Sequence, residues 1–338
     1  MTTDTTMTAA VYHRFGAPEE VRLEQRAVPT PRPGDVLIRV HASTVSVGDH
    51  RARARDIPAG LGVLAAVGLG VFRPSRPILG MDAAGVVAAV GSGVTAFAPG
   101  DRVIASTGGA FGGHAEYVRL SADGPITRAP DTMSFEEAVT LVFGGITAQC
   151  FFAQVAIGPG TSVLVNGASG AVGTAAIQLA KQLGADVTAV TSGGNVPLVA
   201  SLGADRVIDY TREEFAAGGD TYDVIVDCVG NAPFSRVETL INPGGALLLV
   251  ISDLRSMLTS RRHTRRSGKL VTWNVGTPGA EDLAHLVSLA DSGRFRAVID
   301  RTFELADIVE AHRYVDTGRK RGNVVLRIPQ PGANHAHG

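Results

Sequence analysis

The spacing of apolar positions changes once along the chain, near residue 134, and that change organises the rest of the reading. From residue 7 to about 130, short apolar runs such as "DVLIRV", "AGVVAAVG", "GDRVIA" and "HAEYVRL" are separated by glycine and proline turns. Short runs broken in this way predict a β-rich, partly barrel-like part. At Ser134 the stretch "SFEE" reads as a capping box closing on Glu137 and leads into a helical apolar run, so a domain boundary is expected there. From Thr161 onward, the apolar stretches "SVLVN", "VTAVT", "RVIDY", "YDVIVDCVG" and "GALLLVI" alternate with helical ones such as "AVGTAAIQLAKQLGA" and "VPLVASLGA". Uninterrupted apolar strands between amphipathic helices predict a doubly wound parallel sheet covered on both faces. After "KLVTWNV" come a helix around Glu281 to Ser292, a strand near "FRAVIDRTF", a helix from Asp307 to Asp316 and a strand "NVVLRI". These either extend the sheet or fold back on the first part. The longest apolar stretch, Ile57 to Phe72, is too short and too glycine-rich to span a membrane, and a helix or loop against the core is expected there.

Composition narrows the class of partner. The 338 residues favour two domains, and 45% hydrophobic with 19% charged residues suits a globular chain. A formal net charge of -1 supplies no global field for nucleic acid or anionic membrane, so a small-molecule partner is expected, with neither membrane nor nucleic acid. The two cysteines, Cys150 and Cys228, are far apart and make neither a disulfide framework nor a thiolate zinc site; both read as buried fillers. The start "MTTDTTMT" lacks the basic and apolar segments of a secretory signal, which makes the cytoplasm the expected location. The end, "PQPGANHAHG", reads as a loose tail whose two histidines bind nothing in particular.

The chemistry is carried by "LVNGASGAVG", residues 164 to 173. It follows an apolar strand and opens a helix whose Val172, Ala176, Leu179 and Leu183 form one apolar face. Gly167, Gly170 and Gly173 permit a tight turn, close approach of a pyrophosphate, and close packing of helix on strand. The free N–H groups and the positive end of the helix dipole then face an anion. A nucleoside-triphosphate loop would require lysine after the last glycine, where Thr174 stands, and a nucleophile elbow fails because Gly170 and Ala171 follow Ser169. A tight turn without ligand is the bland alternative. At the end of the next strand, "VTAVTSGGN" offers Thr191, Ser192 and Asn195 in place of the acid that holds a free ribose 2′-hydroxyl. Hydrogen-bonding groups there suit NADP(H), with Tyr210 of "VIDY" a further neighbour of the adenosine.

With these residues in hand, the chain resembles the zinc-independent quinone-oxidoreductase group, related to zeta-crystallin, of the medium-chain dehydrogenase/reductase superfamily. The matching stretches run in order from "MTAAVYHRFGAPEEVRL" through "PRPGDVLIRVHAS", "PILGMDAAGVVAAVGSGV", "HAEYV", "VLVNGASGAVGTAAIQLAKQLGA", "SLGADRVIDY" and "NPGGALLLV" to "GNVVLRI". The resemblance implies an α/β fold with a GroES-like β-rich substrate domain, residues 1–133 with 280–338, and a Rossmann dinucleotide-binding domain, residues 134–279. It also implies an active site between the two and a homodimer. The cofactor contacts carry over as Gly167, Ser169, Gly170, Ala171, Val172 and Gly173, with Thr147 of "GITA" near the cofactor. Val229 and Gly230 after "DCVG", and Ile251 and Ser252 after "LLLV", fall at strand ends for ribose and nicotinamide. Asn195 stands where relatives carry a lysine for the 2′-phosphate, Asn323 replaces a frequent lysine, and Ser46 takes an asparagine's place.

Zinc-using relatives carry a cysteine before the "GDH"-like segment and a histidine-glutamate pair in their "GHExAG" motif. Here "STVSVGDH" and "GMDAAG" stand instead, with Met81 and Asp82 at the pair; "LVFGGITA" offers no third ligand, and the structural zinc lobe is missing. No metal site is expected, and His50 and His114 read as ordinary surface or pocket histidines. Without a Lewis acid, alcohol oxidation loses its means of stabilising an alkoxide. Quinones and α,β-unsaturated carbonyls delocalise the charge left by hydride addition, so their reduction with NADPH is the expected activity. Ser46 and Asp49 are the catalytic candidates: Ser46 to orient a carbonyl or relay a proton, Asp49 either to assist or to serve as a structural carboxylate at a helix start. Solvent is the other proton source. The basic run Arg255, Arg261, Arg262, Arg265, Arg266 and Lys269 reads as a solvated face, an acidic-substrate rim, or a site for a phosphopantetheine-bearing or nucleic-acid partner. The competing functions are an enoyl-thioester reductase and, from another class, a cofactor-binding sensor, structural or RNA-binding protein without turnover.

Overall fold

The computed structural model describes residues 5–217 and 219–330, so the tail histidines lie outside the described residues. In chain order the elements begin with β1 (Thr6–Tyr12), β2 (Val21–Ala27), β3 (Asp35–Thr44), α1 (Val47–Ala54), α2 (Gly62–Leu69), β4 (Asp82–Val90), β5 (Arg102–Ser106), β6 (Tyr117–Ser121), β7 (Ile126–Arg128) and α3 (Phe135–Val139). They continue with α4 (Ile146–Phe152), β8 (Ser162–Asn166), α5 (Ala171–Gln182), β9 (Asp186–Thr191), α6 (Val196–Ser201), β10 (Arg206–Asp209), β11 (Tyr222–Asp227), α7 (Phe234–Val237), β12 (Ile241–Leu249), α8 (Leu254–Ser267) and β13 (Leu270–Thr272). The last are α9 (Ala280–Asp291), β14 (Ile299–Glu304), α10 (Ile308–Asp316) and β15 (Asn323–Arg327).

The chain divides into two compact units: Met1–Ile57 with Leu64–Phe143 and Gly279–Gly338, and Pro58–Val63 with Gly144–Pro278. In the first, β1 and β2 form an antiparallel pair, and a seven-stranded sheet runs β14-β15-β3-β4-β5-β7, with β6 also on β3. The ten-residue β3 makes the curvature possible, because its first half pairs with β6 and its last three residues with β15 along one edge while β4 takes the other. The C-terminal segment therefore returns to the first part, which settles the alternative left open by the sequence. Val36, Ile38, Val40, Leu79, Val103, Ile126, Val324 and Leu326 fill the core.

In the second unit six parallel strands lie in the order β10-β9-β8-β11-β12-β13. The chain winds outward from β8 in one direction, then restarts beside it with β11 and winds the other way. The crevice between the carboxyl ends of β8 and β11 is thus a topological switch point, where such sheets hold ligands.

Three expectations are corrected. The capping box does form, Ser134 accepting from the Glu137 N–H and Glu137 from the Ser134 N–H, but α3 belongs to the first unit and the division falls after Phe143. Phe135 stacks with His41 and lies under Arg102 at 4.4 Å, and Glu136 pairs with Arg327 at 2.8 Å, so the change of texture marks strand giving way to helix, not one domain giving way to another. On α5, every residue from Ala171 to Ala180 is buried while Leu183, at its end, is 45% exposed, because the helix is covered all round. And α2 forms within the apolar stretch with Leu69 packed on the core but most of its apolar face outward: Val63, Leu64, Val67 and, just beyond, Phe72 are 79%, 64%, 82% and 90% exposed.

Within the first unit α1 is locked to α10 by a fully buried arginine. Arg53 donates to both carboxylate oxygens of Asp316 at 2.6 Å, to the Gly16 carbonyl and to His312 Nδ1 at 3.4 Å. Removing one member of such a pair strands the other, so Arg53→Met should lower unfolding stability by about 3 kcal/mol, measurable as a lower urea midpoint at unchanged slope.

Candidate dinucleotide and substrate site

In the second unit the glycine loop runs from β8 into α5. Gly167 adopts φ +79, a left-handed turn that a side chain disfavours. A Cβ on Gly173 would collide with the Gly167 carbonyl oxygen, so this glycine lets the helix close onto the turn. A Cβ on Gly170 would meet nothing nearer than the Gly167 oxygen at 3.6 Å; the protein's own packing does not demand glycine there, and the space is left for a ligand. The first intrahelical bond of α5 is Thr174 N–H to the Gly170 carbonyl, 2.8 Å. The N–H groups of Ala171, Val172 and Gly173 are therefore the open donors of the first turn. Ala171 and Val172 are buried hydrophobics, so their backbone serves an anion while their side chains serve the core. This cradle fits a dinucleotide pyrophosphate. Gly144 approaches the Ala171 carbonyl so closely that a Cβ could not be accommodated, which brings α4, with Thr147 near its start, beside the same turn.

At the end of β9, Asn195 Nδ2 donates to Ser169 Oγ at 3.1 Å and to Ser192 Oγ at 3.2 Å, so three residues singled out from sequence form one polar cluster. Tyr210 is exposed and its N–H bonds the Thr191 carbonyl at 3.0 Å. Sequence reasoning missed an acid here. Asp209 ends β10 in register with Thr191 of β9, and hydrogen bonds from Thr211 and from the Gly193 N–H hold its carboxyl below the usual range. Arg212 stands 3.5 Å from it. The signal was present, but it lay at the end of the neighbouring strand.

At the other lip of the crevice, fully buried Asp227 organises the turn after β11. Its Oδ1 accepts from Asn166 Nδ2 at 2.9 Å and from the Val229 and Gly230 N–H groups at 3.0 Å, and its Oδ2 from Ala232 N–H at 2.9 Å. Asn166 also donates to Asn231 Oδ1 at 2.6 Å. The strand end leading to the glycine loop and the one carrying Val229 and Gly230 are thereby tied through one carboxylate. Ile251 and Ser252 follow β12, the next strand, and Ser252 is buried. Cys228 is not a nucleophile in waiting: burial and the Asp227 charge push its thiol up. Cys150 is a buried filler.

Ser46, Asp49 and Asn323 belong to the first unit. Ser46 caps α1, its hydroxyl donating to Asp49 Oδ2 at 2.6 Å while the Asp49 N–H returns to it at 3.2 Å. Asp49 also accepts from the Ser46 N–H and, through Oδ1, from the Gly80 N–H at 2.7 Å. Its carboxylate is fully occupied by structure, and the one proton of Ser46 is already given. Asn323 is buried and spends its amide on the Val298 carbonyl. His50 bonds Asp316 at 2.6 Å, and buried His114 bonds the Thr44 carbonyl at 2.9 Å.

Next to this helix lies the Met81–Asp82 pair. Asp82 is fully buried; Thr44 donates to it through N–H at 2.7 Å and hydroxyl at 2.5 Å, and Ser43 through its hydroxyl at 3.1 Å. Desolvation outweighs these bonds, and with the Asp49 charge it pushes the carboxyl up to about 7.

The wider comparisons agree with this geometry. Residues 32–131 match the family described as alcohol dehydrogenase GroES-like domain, and residues 202–326 that described as zinc-binding dehydrogenase. Quinone-oxidoreductase QR1, chloroplastic, of Triphysaria versicolor is 33% identical over 317 residues, covering 88% of this chain and 91% of its own. The 2-methylene-furan-3-one reductase of Solanum lycopersicum is 31% identical, covering 95% of this chain and 79% of its own. The solved quinone oxidoreductase from Coxiella burnetii superposes with a TM-score of 0.83 at 29% identity, covering 96% of this chain and all of that one. A GroES-like part joined to a Rossmann sheet with a dinucleotide cradle defines a nicotinamide-dependent oxidoreductase. The chain belongs to the quinone oxidoreductase group of the medium-chain dehydrogenase/reductase family.

The zinc of the family description does not fit the residues present. A thioether and a carboxyl with both oxygens engaged replace the ligand pair, and among the described residues no group of three or more His, Cys, Asp or Glu could hold a metal.

Two outcomes test this site. Gly170→Ala should fold with wild-type melting temperature yet weaken NADPH binding by about tenfold or more, whereas Gly173→Ala should itself lose about 1–3 kcal/mol of stability from overpacking; calorimetry and fluorescence titration separate the two. For Asp82, the folded state keeps a proton that the unfolded chain has lost between the ordinary carboxylate range and about 7. The folded state binds more protons there, so stability falls as pH rises across that window. Asp82→Asn should flatten the melting-temperature profile between about pH 5 and about pH 8.

Proposed function

We propose that the protein is a zinc-independent, NADPH-preferring reductase of quinones and α,β-unsaturated carbonyls. The observation that carries the reading is the Met81–Asp82 pair, which offers no Lewis acid ligand set while the dinucleotide cradle of the second unit is intact. A nicotinamide cofactor held by the glycine loop between β8 and α5 would supply a hydride to an electrophilic carbon, with the displaced electron pair carried to the substrate's own carbonyl oxygen and a proton completing the reduction. The substrate's conjugation spreads the negative charge that a metal would otherwise have to stabilise. Since the Ser46 hydroxyl already donates to Asp49, solvent is the proton source in this reading, and Ser46 with Asp49 shapes the α1 start. The activities after which the quinone oxidoreductase and 2-methylene-furan-3-one reductase relatives are named support this substrate class.

The Ser169–Ser192–Asn195 cluster supports NADPH, because it offers hydrogen-bonding groups in place of an acid at the end of β9. The homodimer rests on the resemblance alone, and sedimentation velocity checks it.

NADPH should bind at least about tenfold more tightly than NADH, and Asn195→Asp should erase or reverse that gap by setting a carboxylate against the 2′-phosphate; comparable affinities in the wild type would refute the preference. An NADPH-oxidation screen over quinones, enones, enoyl thioesters and simple aldehydes should show turnover of the first two, unchanged by chelator. Chelator-sensitive turnover would remove the metal-free claim, and none across the panel would favour a cofactor-binding protein without catalysis.

A further inference from the structure

The turn that carries Ser192 and Asn195 is held from a strand to which it does not belong. After β9 the chain makes a single 3-10 turn, Gly193–Asn195, closed by the Asn195 N–H on the Ser192 carbonyl at 2.8 Å, and α6 follows at once. Asn195 ties the far end of this turn to Ser169 of the glycine loop. At its near end the side chain of β9 offers no anchor: the Thr191 hydroxyl is buried and, among the described residues, has no hydrogen-bond partner.

The anchor comes from β10, the edge strand of the second unit's sheet. Asp209, in register with Thr191, accepts through Oδ1 from the Thr211 N–H at 3.0 Å and the Thr211 hydroxyl at 2.7 Å, and its carboxylate also takes the Gly193 N–H. The contact with the turn is close, since a Cβ built on Gly193 would stand 2.6 Å from Asp209 Oδ2. Gly193 does not lie in the left-handed region, so the backbone conformation does not ask for glycine there. The carboxylate does. With these donors and with Arg212 Nε 3.5 Å from Oδ2, both oxygens are engaged, and Asp209 is not free to take a ribose hydroxyl as an acid at the end of β9 would.

We propose that Asp209 is the positioning residue of a pocket for the 2′-phosphate of NADPH: through the Gly193 N–H it fixes the turn so that Ser192 and Asn195 face the phosphate together. This role rests on the NADPH preference proposed above and explains how neutral side chains can supply it. A lysine carries its charge on a flexible stem and attracts a phosphate from a range of positions. The hydrogen bonds of Ser192 and Asn195 act only at short range and with the right angle. A turn that had to be ordered on binding would give back much of what those bonds contribute, whereas a turn held beforehand keeps it.

The test is fluorescence titration of the full chain with NADPH and with NADH, which differ only by the 2′-phosphate, together with hydrogen exchange of the turn. Asp209→Ala should weaken NADPH binding by about tenfold while NADH stays within about twofold, and exchange across residues 192–195 should rise. Asp209→Asn keeps an acceptor for the Gly193 N–H and should bring NADPH affinity back to within about threefold of wild type. Gly193→Ala pushes the carboxylate aside and should reproduce the loss. The double variant Asp209→Ala/Gly193→Ala should lose no more than either alone, because both changes break one contact. Retained NADH affinity shows that the variants fold. The proposal is overturned if the NADPH-to-NADH ratio is unchanged in Asp209→Ala, or if that variant binds NADPH more tightly, as a carboxylate acting only by repulsion requires. It is equally overturned if Asp209→Asn loses as much as Asp209→Ala, or if the Asp209 and Gly193 losses add. Equal affinities for NADPH and NADH in the wild type would remove the cofactor preference and this role with it; a wild-type preference that survives Asp209→Ala removes this role alone.

Discussion

The buried carboxylate of Asp227 is the interaction on which the second unit's site depends. A parallel sheet that reverses its winding direction opens a crevice at the reversal, and the ladder that holds β8 and β11 in register ends at Asn166 and Asp227. Beyond it Asp227 fixes the turns, because it ends β11 with no solvent to satisfy it and takes its hydrogen bonds from both sides of the crevice. A buried charge of this kind is tolerable only when every lone pair is used. The requirement that Asp227 be satisfied thus dictates the path of Val229 and Gly230, and through Asn166 the strand end from which the glycine loop departs.

Much of this was legible in the sequence wherever the governing contact is local. The glycine loop is one such case, since turn, open donors and helix start lie within ten consecutive residues, and so is the capping box at Ser134. Parallel strands were legible because burial on both faces leaves an uninterrupted apolar run. What was not legible depends on pairing between distant segments. Asp209 is eighteen residues beyond Thr191 yet stands in register with it, so a search for an acid at the end of β9 overlooked the one at the end of β10. The return of β15 to β3 is a pairing of the same kind, decided by edge complementarity across the length of the chain.

Helical periodicity misled in two opposite ways, for one reason. It reports which residues share a face, not whether that face finds a cover. On α5 the sheet and α4 bury residues on every side, so polar Thr174 and Gln178 are enclosed along with the predicted stripe. On α2 the apolar stretch was expected against the core, and while Leu69 packs there, Val63, Leu64 and Val67 stand exposed. Net charge has a similar blind spot: arginines on α8 and carboxylates elsewhere cancel in the sum, although among the described residues no carboxylate lies near enough to pair with them.

The corner around α1 shows how losing metal ligands alters the electrostatics, not only the coordination. Asp49 and Asp82 sit close enough for the charge of one to raise the other, and Asp82 lacks any cation to offset that. Two buried carboxylates in mutual view do not both ionise readily. Asp49 is served by the Ser46 and Gly80 N–H groups and the Ser46 hydroxyl; for Asp82, desolvation outweighs the Thr44 and Ser43 hydrogen bonds and pushes the carboxyl up to about 7. Replacement of a ligand pair by a thioether and a buried, hydrogen-bonded carboxyl thus alters the electrostatics of the corner as well as its donors.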